Sequence, residues 1–207
     1  IGNMINRTNK IYTGAINGLA RHDLEALKKN NKGVKKMSRE LEDLQNNIYY
    51  FIKNLDDSSV GGASNFYITL LDHLQDLAQS LELISKIGYT HVNNNHKKLK
   101  YNQIKELKDL DIHLSKLFDD TSETFKNRDF ERIGPVLGTK ISYMDLVNTK
   151  IEKQVARTRT EESSPKNTRL YFSLLTESRD IIKAIMDLLE LYYMEHDSSV
   201  EPARIDK

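Results

Sequence analysis

One segment of the chain returns in altered form about half a chain length later. Residues 66–84, FYITLLDHLQDLAQSLELI, align with residues 170–188, LYFSLLTESRDIIKAIMDL, at an offset of 104 positions. The identical pairs are Tyr67 and Tyr171, Leu70 and Leu174, Leu71 and Leu175, and Asp76 and Asp180. Because the 207 residues are close to two periods, the repeat accounts for the whole chain and not for one part of it.

The repeated segments carry the apolar spacing of long helices. In the first copy the apolar positions follow one another at intervals of three and four residues, which lines one face of a helix: Phe66, Leu70, Leu74, Leu77, Leu81 and Ile84. A second match supports the repeat, because HDLE at residues 22–25 is echoed by RDFE at residues 128–131. These patterns predict an all-α fold of two repeated three-helix bundles, packed as one elongated antiparallel bundle.

Six helices are predicted, over about residues 4–20, 23–55, 64–87, 99–126, 128–159 and 168–195. Ser64 is expected to cap the third helix, since it follows a cluster of turn-forming residues. Pro135 is expected to break or kink the fifth. The predicted organisation is a first repeat at 1–90, a loop at 91–98, a second repeat at 99–197 and a frayed tail at 198–207.

Composition excludes several classes of function. The chain contains no cysteine, so it has neither disulfides nor a thiolate zinc site. Its 31 basic and 30 acidic residues are interspersed, which does not favour a nucleic-acid partner. No apolar run approaches the length of a membrane span, and no apolar leader precedes Ile1, so we expect neither direct membrane insertion nor a secretion signal.

Catalytic motifs are also absent, and we expect no enzymatic activity. The sequence has no GxSxG, GxGxxG, HExxH or phosphate-binding GxxxxGK[ST] pattern. The remaining candidates are carboxylates on the repeated helix. Asp72 and Asp76 lie one helical turn apart, a spacing that would let them share a hard cation or simply form part of a solvated face. The second copy keeps Asp180 but replaces Asp72 by Thr176.

This arrangement resembles the PhoU-like family of six-helix regulators of bacterial phosphate uptake. The motif that carries the resemblance is an acidic residue, three others and an aspartate, seen as DHLQD at residues 72–76 and, without the first acid, as TESRD at 176–180. Together with HVNNNHKKL at residues 91–99, the chain looks most similar to the C-terminal cytoplasmic PhoU-like domain of sodium/phosphate cotransporters. In that family the acidic motifs are implicated in iron or other metal clusters.

The resemblance implies a regulatory domain that works by protein contacts at the cytoplasmic face of the bacterial inner membrane. The expected partner is a membrane transporter domain of the same or another chain, and a second copy of the chain is a further candidate. The alternative to such a domain is a free-standing adaptor that regulates a separate phosphate transport or signalling system. No cofactor is expected, apart from a divalent or iron ion for which Asp72, Asp76 and Asp180 are the candidate ligands. Exposed tyrosines around Tyr192 and Tyr193 could form an interface or close the end of the core.

Overall fold

The computed structural model describes residues 1–56, 58 and 60–196, and every regular element among them is helical. The seven α-helices of this part are α1 (Gly2–Arg21), α2 (Leu24–Lys53), α3 (Val60–Asn93), α4 (Tyr101–Asn127), α5 (Ile133–Leu137), α6 (Lys140–Arg159) and α7 (Pro165–His196), with a 3₁₀ turn at Phe130–Arg132 before α5. The predicted all-α fold is therefore confirmed. Not one of these helices carries a stretch of the length and apolarity that crossing a bilayer requires.

Both repeats end their first helix in the same way. α1 ends at His22 and α4 ends at Arg128, 106 positions later, and both residues adopt the left-handed conformation, with φ of 55° and 53°. A residue in this conformation ends a helix because it turns the chain and lets the last amides reach earlier carbonyls. In the first repeat Asp23 then caps α2 by accepting a hydrogen bond from the N–H of Ala26.

The fifth predicted helix is broken around Pro135, as the sequence indicated. The chain forms the 3₁₀ turn, the short α5 and then α6 in place of one continuous helix. Pro135 is the third residue of α5, where its missing N–H removes no interior hydrogen bond. The broken helix explains why the described residues form seven α-helices where the sequence predicted six.

Three predicted helix boundaries were wrong. α3 begins at Val60, so Ser64 lies inside the helix and does not cap it. The same helix continues to Asn93 through residues predicted as a loop, because His91 and Val92 are buried against the core. α7 begins at Pro165, a residue suited to the first helical position because its fixed φ is already helical.

The repeats pack on each other through equivalent helices. α3 runs antiparallel to α7, so that Phe66 near the start of α3 meets Tyr192 near the end of α7 at a ring-centroid distance of 5.3 Å. α1 runs antiparallel to α4, and the Ser122 hydroxyl donates to the carbonyl of Gly2 over 2.8 Å. α2 covers α1 and α3, whereas α6 covers α7. One continuous core of buried side chains links both repeats.

An approximate twofold axis therefore relates the two halves. Tyr12 and Phe118, which are equivalent at the offset of 106, touch each other with ring centroids 6.2 Å apart. Ser178, a polar residue in the otherwise apolar stripe of α7, lies 2.7 Å from the Tyr12 hydroxyl and is thereby satisfied in the core.

The chain passes from one half to the other through residues 94–100, between α3 and α4. The predicted domain boundaries stay a prediction, and the tail at 198–207 lies outside the described residues.

Candidate functional site

The candidate carboxylates Asp76 and Asp180 line one groove, which lies between α3 and α7. Both helices bury their apolar stripes against the core and against each other, which leaves their polar stripes along the groove. The groove has a volume of about 440 Å³. Its lining residues are Asp76, Gln79, Ser80, Leu83, Glu177, Asp180, Lys183, Ala184 and Asp187. We call this feature the axial groove.

The axial groove lies on the approximate twofold axis. Four pairs of its lining residues are repeat equivalents at the offset of 104, namely Asp76 with Asp180, Gln79 with Lys183, Ser80 with Ala184, and Leu83 with Asp187. An antiparallel pair of equivalent helices brings each residue close to its own counterpart only near the axis. Asp76 and Asp180, which are identical in the repeat, therefore line the same groove in the folded chain.

The electrostatics of the groove are acidic with one cation. Four carboxylates, from Asp76, Glu177, Asp180 and Asp187, surround the single ammonium group of Lys183. The Lys183 Nζ donates to a carboxylate oxygen of Asp187 over 3.0 Å. This hydrogen bond, helped by the charges of Asp187, Asp76 and Asp180, raises the pKa of the Lys183 ammonium above its ordinary value. Lys183 thus stays protonated and offsets part of the negative charge.

Asp72, the third candidate ligand, is exposed on α3 and is not among the residues that line the groove. Within residues 1–56, 58 and 60–196, no three histidine, aspartate or glutamate side chains are grouped so that they could hold a metal ion. The described residues thus supply no ready-made cluster of the kind that the family resemblance implies. The metal role of Asp72, Asp76 and Asp180 stays a prediction.

The sequence pointed to part of this groove but missed Glu177, Lys183 and Asp187. The signal that could have found them is the repeat itself. If the two best-matched helices of a repeat pack on each other as antiparallel partners, the residues at their crossing lie close to their own equivalents. Once α3 and α7 are known to pack in this way, that rule places residues 76–83 against residues 180–187.

The two tyrosines near the end of α7 have different surroundings. Tyr192 is buried and packs against Phe66, Phe125 and Phe130, with ring centroids 5.3, 4.8 and 5.9 Å away. It therefore closes the end of the core. Tyr193 is 49% exposed and is open to a partner.

Neither a protein-family model nor a curated protein sequence matches this chain. Two solved structures are similar to it. PhoU from Pseudomonas aeruginosa superposes with a TM-score of 0.73 at 10% identity, covering 91% of this chain and 90% of that one. The phosphate transport system regulatory protein PhoU from Streptococcus pneumoniae gives a TM-score of 0.74 at 12% identity, covering 94% and 91%. At these identities the likeness establishes the fold, so the PhoU-like fold predicted from the repeat is confirmed.

Proposed function

We propose that this chain regulates phosphate transport by contacting a membrane transporter at the cytoplasmic face of the membrane. The observation that carries the proposal is the fold, shared over more than nine-tenths of the chain with a protein described as a phosphate transport system regulatory protein.

A surface suited to such contacts lies where α2 ends. Tyr49, Tyr50 and Phe51 expose 51%, 72% and 45% of their surface there. The Phe51 ring packs edge-on against Tyr67 of α3, with centroids 5.5 Å apart, which anchors the patch to the bundle. Exposed aromatic side chains in a rigid setting are common anchors of protein interfaces. We name Tyr49, Tyr50 and Phe51 the aromatic patch and propose it as the transporter contact.

Two arrangements would give this function. In one, the chain is the C-terminal domain of a sodium-dependent phosphate transporter and contacts the membrane part of its own polypeptide. In the other, it is a free-standing adaptor that binds a separate transporter or sensor. Reading the gene upstream of the codon for Ile1 decides between them, since only the first arrangement requires preceding membrane-spanning segments.

Phosphate uptake in the native host tests the proposed function. Radiolabelled phosphate uptake is measured at high and low external phosphate in cells that lack this chain and in cells complemented with it. We expect the deletion to remove the adjustment of uptake to external phosphate, and the wild-type chain to restore it. An adjustment that survives deletion would refute the regulatory role.

The aromatic patch is tested in the same cells. The double variant Tyr50→Ser with Phe51→Ser should accumulate normally but fail to restore regulation. Its matched control is Tyr101→Ser with Ile112→Ser, which removes comparable exposed apolar surface elsewhere, because those side chains are 76% and 69% exposed. If both double variants behave alike, the aromatic patch is not the transporter contact. The regulatory role itself is tested by the deletion experiment.

A further inference from the structure

A second cavity lies beside the pair of helices α3 and α7. It is at the end of this pair that is opposite to Tyr192. It is formed by the last turns of α3, the first turns of α7 and the chain that follows α3, and its volume is about 370 Å³. The lining residues are Leu83, Lys86, Ile87, Thr90, His91, His96, Lys166, Arg169, Leu170 and Ser173. We call it the basic pocket, since no aspartate or glutamate is among these residues.

The cations of the basic pocket are not matched by carboxylates in its lining. Among the described residues, neither Lys86 nor Arg169 forms an ion pair. The Lys166 Nζ donates to the unprotonated Nε2 of His96 over 3.0 Å, and this acceptor carries no negative charge. Three permanently charged groups thus line one cavity whose lining contains no carboxylate. Glu82, one turn before Lys86, lies outside the cavity lining.

His91 adds little positive charge to the pocket. His91 is buried and hydrogen-bonds through Nε2 to the carbonyl oxygen of Lys97 over 2.8 Å, so Nε2 carries the proton. Burial lowers the pKa of the His91 imidazole below its usual value, and nearby His96, His22 and Lys166 act in the same direction. The permanent positive charges of the pocket are those of Lys86, Lys166 and Arg169.

The repeat shows that the fold does not require this charge. The equivalent of Lys86 in the other half is Glu190, the equivalent of Arg169 is Asn65, and that of Lys166 is Gly62. The other end of the same helix pair thus packs in the same way with the charge reversed or absent. Helix packing alone does not explain why three cations gather at one end.

The walls of the pocket define the kind of ligand that would fit. Lys86, Lys166 and Arg169 provide several charged donors to the lining, and Thr90 and Ser173 add hydroxyl groups. Such a set matches a tetrahedral dianion, which offers many acceptor oxygens at once. Apolar atoms complete the lining, contributed by Leu83, Ile87 and Leu170. A phosphate ester could therefore place its organic part on these apolar atoms while its phosphate group meets the cations.

We propose that the basic pocket binds a phosphate group, either as inorganic phosphate or as a small phosphate ester. This site goes beyond the regulatory contact proposed above, because it belongs to a different end of the bundle from the aromatic patch and needs no transporter. A chain that both binds a phosphate group and contacts a transporter could report the level of that ligand directly.

Calorimetric titration of the full chain tests the site, with inorganic phosphate, adenosine monophosphate and sulfate as separate ligands. We expect saturable binding of inorganic phosphate, adenosine monophosphate or both at millimolar concentrations or below. Whichever of the two binds identifies the free anion or the ester as the form recognised. Lys86→Gln with Arg169→Gln should weaken the binding by about tenfold or more, because two charge-assisted contacts are removed.

The matched control is Lys53→Gln with Lys126→Gln. Both lysines are exposed and lie in the last turns of α2 and α4, away from the pocket. Their substitution removes two positive charges, as the substitution of Lys86 and Arg169 does. This variant should bind as the wild type does. The proposal is refuted if neither phosphate ligand binds, if the control loses affinity to the same extent, or if sulfate binds as tightly as phosphate. None of these outcomes affects the uptake experiment, so the two proposals can fail separately.

Discussion

Glu106 of α4 and Arg157 of α6 form an ion pair that is almost closed to water. The Nη1 and Nη2 nitrogens of the guanidinium group reach the carboxylate, at 3.2 and 2.6 Å, and the side chains of Glu106 and Arg157 are only 15% and 11% exposed. The hydroxyl of Tyr171 donates to the same carboxylate, and Arg157 lies over the Tyr171 ring, 5.4 Å from its centroid. Burial, followed by the hydrogen bond to Glu106, raises the pKa of the Tyr171 hydroxyl above its usual value. This residue thus remains a neutral donor.

The repeat supplies an internal control for this hydrogen bond. Tyr171→Phe should lower the free energy of unfolding by about 2 kcal/mol, because it leaves a nearly buried carboxylate with one donor fewer. Its equivalent Tyr67 is half-buried, and within the described residues its hydroxyl has no hydrogen-bond partner. Tyr67→Phe should therefore change stability by less than about 0.5 kcal/mol. Urea unfolding measures both, and equal losses would show that the Glu106 contact contributes nothing specific.

The repeat identified Tyr67 and Tyr171 as equivalent. It did not indicate that the two hydroxyl groups have different surroundings. The Glu106 carboxylate reaches Tyr171 across 65 positions of sequence, and Gln154 supports Arg157 by accepting its Nε–H over 3.0 Å. Contacts of this kind depend on how three helices meet, and no local pattern encodes them. The same limit applied to the groove residues Lys183 and Asp187, whose relation to Asp76 exists only after α3 and α7 pack.

At the scale of single elements, two helix starts were predicted wrongly, those of α3 and α7. Asp23 is a true cap, since its carboxylate accepts a hydrogen bond from the N–H of the third following residue, Ala26. Ser64 was also expected to begin a helix but lies one turn inside α3, and its buried hydroxyl has no hydrogen-bond partner among the described residues. The turn-forming residues before it misled the prediction because Gly61 and Gly62 are taken into the first turn of the helix.

The two positions should respond to alanine in opposite ways. Asp23→Ala should destabilise the chain by about 1 kcal/mol, because it leaves the first amides of α2 without their acceptor. Ser64→Ala should stabilise it by about 0.5 kcal/mol, since alanine is the better helix former and brings no buried hydroxyl. Thermal unfolding of both variants checks the pair. A loss of about 1 kcal/mol at Ser64 would instead show that this residue caps the helix after all.

For the whole molecule, the repeat predicted more than any other feature. It indicated the helical class, the doubled architecture and the equivalence of Asp76 with Asp180. It did not indicate the pairing of helices, because a stripe of leucines marks a buried face without identifying the helix that covers it. In the folded chain the stripe of α3 is covered by α2, α1 and α7 together, so the first half is completed by a helix of the second.

That arrangement makes the two halves interdependent. Residues 1–98 expressed alone should either lack a cooperative unfolding transition or associate as a dimer, with a second α3 in the place of α7. The reason is that the fragment would expose apolar side chains of α3 and α1 that α7 and α4 normally cover. Circular dichroism and sedimentation would distinguish these states. A cooperative, monomeric fragment would show that each predicted repeat is a domain in its own right.

The exchange of Lys86 for Glu190 between equivalent sites has a consequence for recognition. A bundle whose two ends look alike would offer any partner two docking poses, related by half a turn and nearly equal in energy. Opposite charges at equivalent positions remove that degeneracy, since a partner attracted to one end is repelled by the other. The two ends of the bundle therefore differ in charge, and a charged partner docks in one of the two orientations.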